Sequence, residues 1–164
     1  MEWLDIYNEA GQPTGRRIRR DDPVNEGERL LVVHVCLMNS RGEMLIQKRQ
    51  IWKDRFPGCW DISAGGFALA GENSQQAVLR ELQEELGLVL PSEKLRFLLR
   101  EPFSYVLDDF FLAYSDEQAE SFTPQPEEVS EVRWASGDEV MAMQEDGRFV
   151  NYSAELLERI FAAV

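Results

Sequence analysis

Histidine and cysteine are nearly missing from this 164-residue chain, which holds one histidine, His34, and two cysteines, Cys36 and Cys59. That scarcity argues against a zinc site of thiolates and imidazoles. The two cysteines stand in neither a metal-type nor a redox-type spacing. A domain of this length folds without a crosslink, so both are expected to be reduced thiols in a cytoplasmic protein. Long apolar runs are missing too. The longest, Leu30 to Met38, is interrupted by His34 and falls well short of the about 20 apolar residues that span a bilayer. The opening residues, MEWLDIYNEAG, are acidic and polar, unlike a secretory signal. No membrane association is therefore expected. Cations are in deficit, and the net charge of −13 argues against a surface that wraps nucleic acid. Any metal must be held mainly by carboxylates and carbonyls, which suit hard cations.

What is present describes a globular α/β chain. Hydrophobic residues make up 44% and charged residues 29%, and one domain over residues 1–164 with a single sizeable core is expected. The charge is unevenly spread. Residues 1–55 hold ten Lys/Arg against nine Asp/Glu, whereas residues 56–164 hold seven against 21. A locally basic N-terminal part beside an acidic remainder suits a phosphorylated ligand next to a metal site.

Pattern and punctuation predict a short strand over residues 2–7 and a hairpin through NEAGQPTG to Arg16–Arg20. A central strand is expected over Leu31–Met38, and its hairpin partner over Glu43–Arg49. A basic loop from Gln50 to Gly58 leads to a short strand over Trp60–Ala64, followed by Gly65-Gly66. The clearest helix spans Asn73 to Leu86, with Asn73 as N-cap, Gln76 three residues on, and Gly87 as its stop. Strands follow over Leu95–Arg100, Phe103–Tyr114 and Val129–Trp134. Helices are expected over Ser136–Met143 and Ser153–Ala163. This mixture implies a mixed sheet packed between helices.

The 73–86 helix carries the chemistry. At about 100° per residue, Glu81, Glu84 and Glu85 share one stripe. Val78, Leu79, Leu82 and Leu86 form the adjoining apolar face. Carboxylates three and four residues apart repel by roughly 0.2–0.5 kcal/mol per pair, and partial burial worsens this. A divalent cation relieves it, and such oxygen ligands favour Mg²⁺ or Mn²⁺. By itself the stripe is read more readily as an ordinary solvated acidic face.

The segment upstream decides between these readings. It runs Gly66, five residues, Glu72, seven residues, then Arg80-Glu81-Leu82-Gln83-Glu84-Glu85-Leu86-Gly87-Leu88. With ordinary composition, a chance match in a chain this long is on the order of one in ten million. This pattern resembles the signature of the Nudix hydrolases at every fixed position. The resemblance implies an α/β/α sandwich with a mixed β-sheet and a loop-helix-loop catalytic box. It implies hydrolysis of a diphosphate linkage in a nucleoside diphosphate derivative or related small phosphorylated metabolite. Carried over by position, Glu84 and Glu85 would ligate Mg²⁺ or Mn²⁺. Glu81 would bind metal or activate water, and Gly66 and Glu72 would complete or support the site. Arg80 would hold the acidic cluster in place, so its loss should harm activity more than stability. Glu128 is the candidate base from the acidic stretch before the strand at 129. Lys48, Arg49, Lys53 and Arg55 are candidate phosphate-binding residues, and Trp52 or Phe67 could stack on a base.

A looser resemblance, carried by Asp5–Gly11, LIQKR (Leu45–Arg49), Lys53…Pro57-Gly58…Trp60 and Glu128–Glu131, is to the Nudix branch that includes type I isopentenyl diphosphate isomerase. The positions matching that isomerase's cysteine and histidines hold Gly65, Phe67 and Leu30, which speaks against isomerisation. A silent binding module is the other alternative, and the intact Glu81, Glu84 and Glu85 speak against it. The sequence is compatible with a homodimer.

Overall fold

The computed structural model describes residues 1–164. The chain opens with a separate two-stranded hairpin, β1 (Trp3–Tyr7) and β2 (Pro13–Arg19). Alternation drives it: Leu4, Ile6 and Ile18 turn inward and pack with Leu30 as a small apolar cluster. The main sheet holds β3 (Leu30–Met38), β4 (Met44–Arg49), β5 (Trp60–Asp61), β6 (Ala64–Phe67), β7 (Arg96–Phe103), β8 (Val106–Tyr114) and β9 (Val129–Ala135). It is mixed, since β3 runs parallel to β8 and the other pairings are antiparallel.

Helices cover both faces. α1 (Ser74–Leu86) lays Ala77, Val78, Leu82 and Leu86 against the Leu31, Val33, Val35 and Leu37 side of β3. α2 (Gly137–Glu145) and α3 (Ala154–Ala162) cover the Cys36 and Met38 side through Val140, Met143, Leu157 and Ile160. This is the α/β/α sandwich expected from the sequence. Both cysteines are free thiols, and Cys36 is buried. No helix is long and apolar enough to cross a membrane.

The sheet splits where the chemistry sits. β3 and β4 pair only at Met38 and Met44 and then diverge. The chain between them fills the wedge, with β5 pairing with β4 and β6 with β3. Ser63, at the crossing, serves both strands: its Oγ accepts from Leu37 N at 2.8 Å and donates to Leu45 O at 2.5 Å. Without it, two buried backbone groups would lose their partner.

This wedge corrects one sequence expectation. The strand foreseen over Trp60–Ala64 is two short strands, and Gly65-Gly66 lies inside β6 instead of in a following loop. Gly65 and Gly66 pair with His34 and Val33. A Cβ at Gly65 would lie 2.6 Å from Val33 O, so only glycine permits that approach. The helix ends follow the predicted capping residues. Asn73 and Gln76 form a reciprocal capping box, and Gly87 closes α1 in the left-handed region at φ 67°.

Candidate active site

α1 buries Glu81 and Glu85 and leaves Glu84 half-exposed, because the acidic stripe borders the apolar face. Arg80 sits among these carboxylates and makes five hydrogen bonds. Its Nε and Nη2 donate to Glu72 at 2.8 and 3.0 Å. Nη1 donates to Glu81 at 2.8 Å and Glu84 at 3.2 Å, and Nη2 also reaches Phe67 O at 2.9 Å. One guanidinium thus ties the helix to the loop before it and to β6. Burial pushes the Glu81 carboxyl above its usual range, against the pull of Arg80.

Glu85 stands outside this network. Its carboxylate accepts 2.5 Å from the neutral amide of Gln47 on β4, which also donates to Ser63 O at 3.1 Å. Burial pushes its pKa well upward. The charges of Glu81, Asp61 and Glu128 act in the same direction, and Gln47 only partly opposes them. No three carboxylate, imidazole or thiol groups converge as a ready-made metal shell. Arg80, with its single charge, is shared among Glu72, Glu81 and Glu84, and no cation is hydrogen-bonded to Glu85. This all-oxygen, over-charged edge fits a hard divalent ion and offers nothing to a soft one.

Gly66 belongs to the site for a steric reason. A Cβ there would lie 2.4 Å from Glu81 Oε1 and 2.8 Å from its Cδ. Its φ lies outside the left-handed region, so close approach explains the glycine and backbone conformation does not. Gly66→Ala is expected to displace the Glu81 carboxylate and lower kcat by at least about tenfold, with melting changed far less. Steady-state kinetics beside a thermal melt check this, and an unchanged kcat would refute it.

A cleft of about 420 Å³ has Glu128 in its lining, and the charge of Glu128 acts on Glu85 of the acidic edge. Arg49, Lys53 and Arg55 line it, as the sequence suggested, together with Trp52 and Glu128. Lys53 forms an ion pair with Glu128. Trp52 is largely exposed, with its Nε1 donating to Glu127 O at 3.1 Å. Lys48 points away: strand alternation turns it to the opposite sheet face, 5.9 Å from the Trp60 ring centroid. Phe67 does not line this cleft, but its ring carries the Arg20 guanidinium at 5.2 Å.

Arg20, unforeseen as a site residue, also lines the cleft from the N-terminal hairpin. The only sequence signal was the basic run Arg16–Arg20. Gln47 was also missed; its signal is a polar residue at an inward position of an otherwise apolar strand. A second cleft, of about 430 Å³, lies beside Glu72 and the hairpin. Its one cation, Arg100, is already bound bidentately by buried Asp109 at 2.5 and 2.8 Å. It therefore suits phosphate less well than the first.

Fold and site together define a hydrolase of phosphoanhydrides: a buried acidic helix edge next to a cationic cleft in an α/β/α sandwich. The NUDIX domain matches residues 28–159. An uncharacterised Nudix hydrolase of Listeria monocytogenes is 41% identical over 152 residues, which cover 93% of this chain and 90% of that protein. The crystal structure of DR0079 from Deinococcus radiodurans superposes with a TM-score of 0.81 at 29% identity, over 96% of this chain and 98% of that one. The NUDIX domain of Shewanella oneidensis NrtR, crystallised with ADP ribose, shares the fold at a TM-score of 0.65 and 22% identity, over 88% and 94% of the two chains. The chain belongs to the Nudix family, whose hydrolases cleave pyrophosphate linkages, generally with divalent metal ions.

Proposed function

We propose that this chain is a Mg²⁺- or Mn²⁺-dependent pyrophosphohydrolase acting on a nucleoside diphosphate derivative or related small phosphorylated metabolite in the cytoplasm. The observation that carries this reading is the buried Glu85 carboxylate, hydrogen-bonded by no cation and under the charge of Glu128, which lines a cleft together with four cations, Asp54 and Glu127. Glu84, Glu85 and Glu81 would hold the ion, with the Gly66 carbonyl and Glu72 in support. When bound, the ion would offset charge on the phosphate oxygens and make water more acidic.

The chain's own residues supply the rest. Arg20, Arg49, Lys53 and Arg55 bind the phosphates and orient them against the acidic edge. Arg80 holds Glu81 and Glu84 in position. Glu128, kept at the cleft rim by Lys53, is the candidate acceptor of the proton lost by the attacking water; Glu81 is the competing one. Water forms a bond to phosphorus, the bridging oxygen's bond breaks, and the released phosphate carries away the electron pair. Because Arg20 comes from the first hairpin, residues 1–164 act as one Nudix domain. Lys48 and Phe67 have at most supporting roles in substrate binding.

A phosphate-release screen over a diphosphate library, with Mg²⁺ and Mn²⁺ and products identified, tests the proposal. Turnover is expected with either ion and is expected to be lost once bound metal is stripped by excess chelator. Undiminished turnover in chelator would overturn the metal requirement.

A further inference from the structure

The acidic groups around α1 are held in two different ways. Glu72, Glu81 and Glu84 share the guanidinium of Arg80, whereas Glu85 is tied to the sheet by a side chain without charge. That side chain, Gln47, is the polar member of the buried run Met44–Gln47 of β4. By alternation it shares a strand face with Leu45, which packs in the core beneath α1. Gln47 and Glu85 are both more than nine-tenths buried. An apolar residue would fill the place of Gln47 at a lower desolvation cost, so the amide invites a functional explanation.

A group that can only accept fixes the amide's orientation. Ser63 O accepts from Gln47 Nε2 at 3.1 Å, and the same nitrogen donates to Glu85 Oε2 at 2.5 Å. Nε2 carries two hydrogens, so each acceptor receives one and the nitrogen's donor capacity is fully used. Ser63 is itself pinned where β3 and β4 part, through Leu37 N and Leu45 O. The sheet therefore fixes one oxygen of Glu85. The other, Oε1, has no protein hydrogen bond and is not sealed from solvent. The charges of Glu81, Asp61 and Glu128 that act on Glu85 are all negative.

We infer that Gln47 is a positioning residue for the divalent ion: it pins Glu85 by one oxygen through an uncharged donor, leaving the other oxygen and the full charge to the ion. The inference rests on the metal-dependent hydrolase reading and deepens it by naming what holds this ligand. Neither simpler choice of side chain would do the same. A lysine or arginine in its place would hold the carboxylate but would also neutralise it and repel the ion. An apolar side chain would leave Glu85 free to rotate and Ser63 O without this donor. The amide holds without neutralising, and its hydrogen bond favours the ionised form that a cation needs.

The test is the binding of Mn²⁺ alone to the full chain, followed by paramagnetic resonance of the free ion, beside melts of the metal-free protein. Gln47→Met, similar in size and without a donor, is expected to weaken Mn²⁺ binding by about 10–100-fold, the typical loss when a partner that orients a ligand is removed. Gln47→Lys is expected to weaken it at least as much and yet to raise the melting temperature of the metal-free protein, because its ammonium offsets a buried carboxylate. In the wild type, the side-chain amide protons of Gln47 should shift in NMR spectra on adding Mg²⁺ and stay slow to exchange with solvent. A Met variant that melts earlier but binds Mn²⁺ like the wild type overturns the inference, since Gln47 would then be structural, and leaves the metal-dependent reading intact. A Lys variant that binds Mn²⁺ like the wild type does the same. So do amide protons that ignore Mg²⁺ or lose their protection when it binds, and this reading decides the matter if a variant fails to fold. Wild-type protein that binds no Mn²⁺ overturns the inference and the metal-dependent reading together.

Discussion

Glu85→Gln should lower kcat by at least about 10²–10⁴-fold and at the same time raise the melting temperature of the metal-free protein near neutral pH. The two effects share one cause. Glu85 is a buried carboxylate whose hydrogen-bond partner is a neutral amide, and neighbouring carboxylates raise its pKa further. Its folded pKa lies well above the usual 4.5. Between those two values the folded state binds more protons than the unfolded state, so metal-free stability falls as pH rises through that window. Below pH 4.5 the group is protonated in both states and the penalty vanishes. The glutamine variant carries no such charge, so its melting advantage should be present at neutral pH and close on acidification. Adding Mg²⁺ or Mn²⁺ should stabilise the wild type more than the variant, since an ion that binds only the folded state adds stability by mass action. Melting curves against pH, with and without metal, give all of these readings. A variant that melts with the wild type at every pH, or that keeps full turnover, would sink the assignment of Glu85.

Arg80→Ala is expected to damage stability as well as activity. From the signature alone, its loss reads as harming activity more than folding. The five hydrogen bonds change that expectation. Removing the guanidinium leaves buried Glu81 and partly buried Glu72 without their shared cation. Stranding a buried charge costs about 3–5 kcal/mol. Because Glu84 is half-exposed and screened, the lower end of that range applies here. Denaturant titration of the metal-free variant should show this loss, with part recovered on adding Mg²⁺. Arg80→Lys should recover only part of it, because one ammonium cannot span Glu72, Glu81 and Phe67 O together. A variant as stable as wild type would mean that Glu81 is neutral without Arg80, and the network's role would have to be reassigned.

Much of the site was legible because it is local. Arg80, Glu81, Glu84 and Glu85 occupy one and a half turns of one helix, and helical geometry alone puts the carboxylates on one edge. Asn73 and Gly87 mark that helix's ends through capping chemistry that involves only near neighbours. Gly66 was recognisable by spacing, but its physical reason was not. That reason is a side chain fifteen positions later pressing on its backbone.

Long-range pairing placed the rest. Gln47 reaches Glu85 across 38 residues, and Arg20 enters the cleft from a hairpin with its own small core. Lys48 looked equivalent to Arg49 in the sequence. The period of a strand sends the two to opposite faces, and the register with Trp60 fixes which one leaves the cleft. By itself, then, the sequence determined the family, the layered α/β/α architecture and the acidic helix edge, since these follow from periodicity and from residues within a few turns of one another. Only the tertiary structure decided where β3 and β4 part, what fills the wedge between them, and which cations and carboxylates from distant segments face one another there. Those outcomes depend on which strand edges find partners, and no local pattern records that.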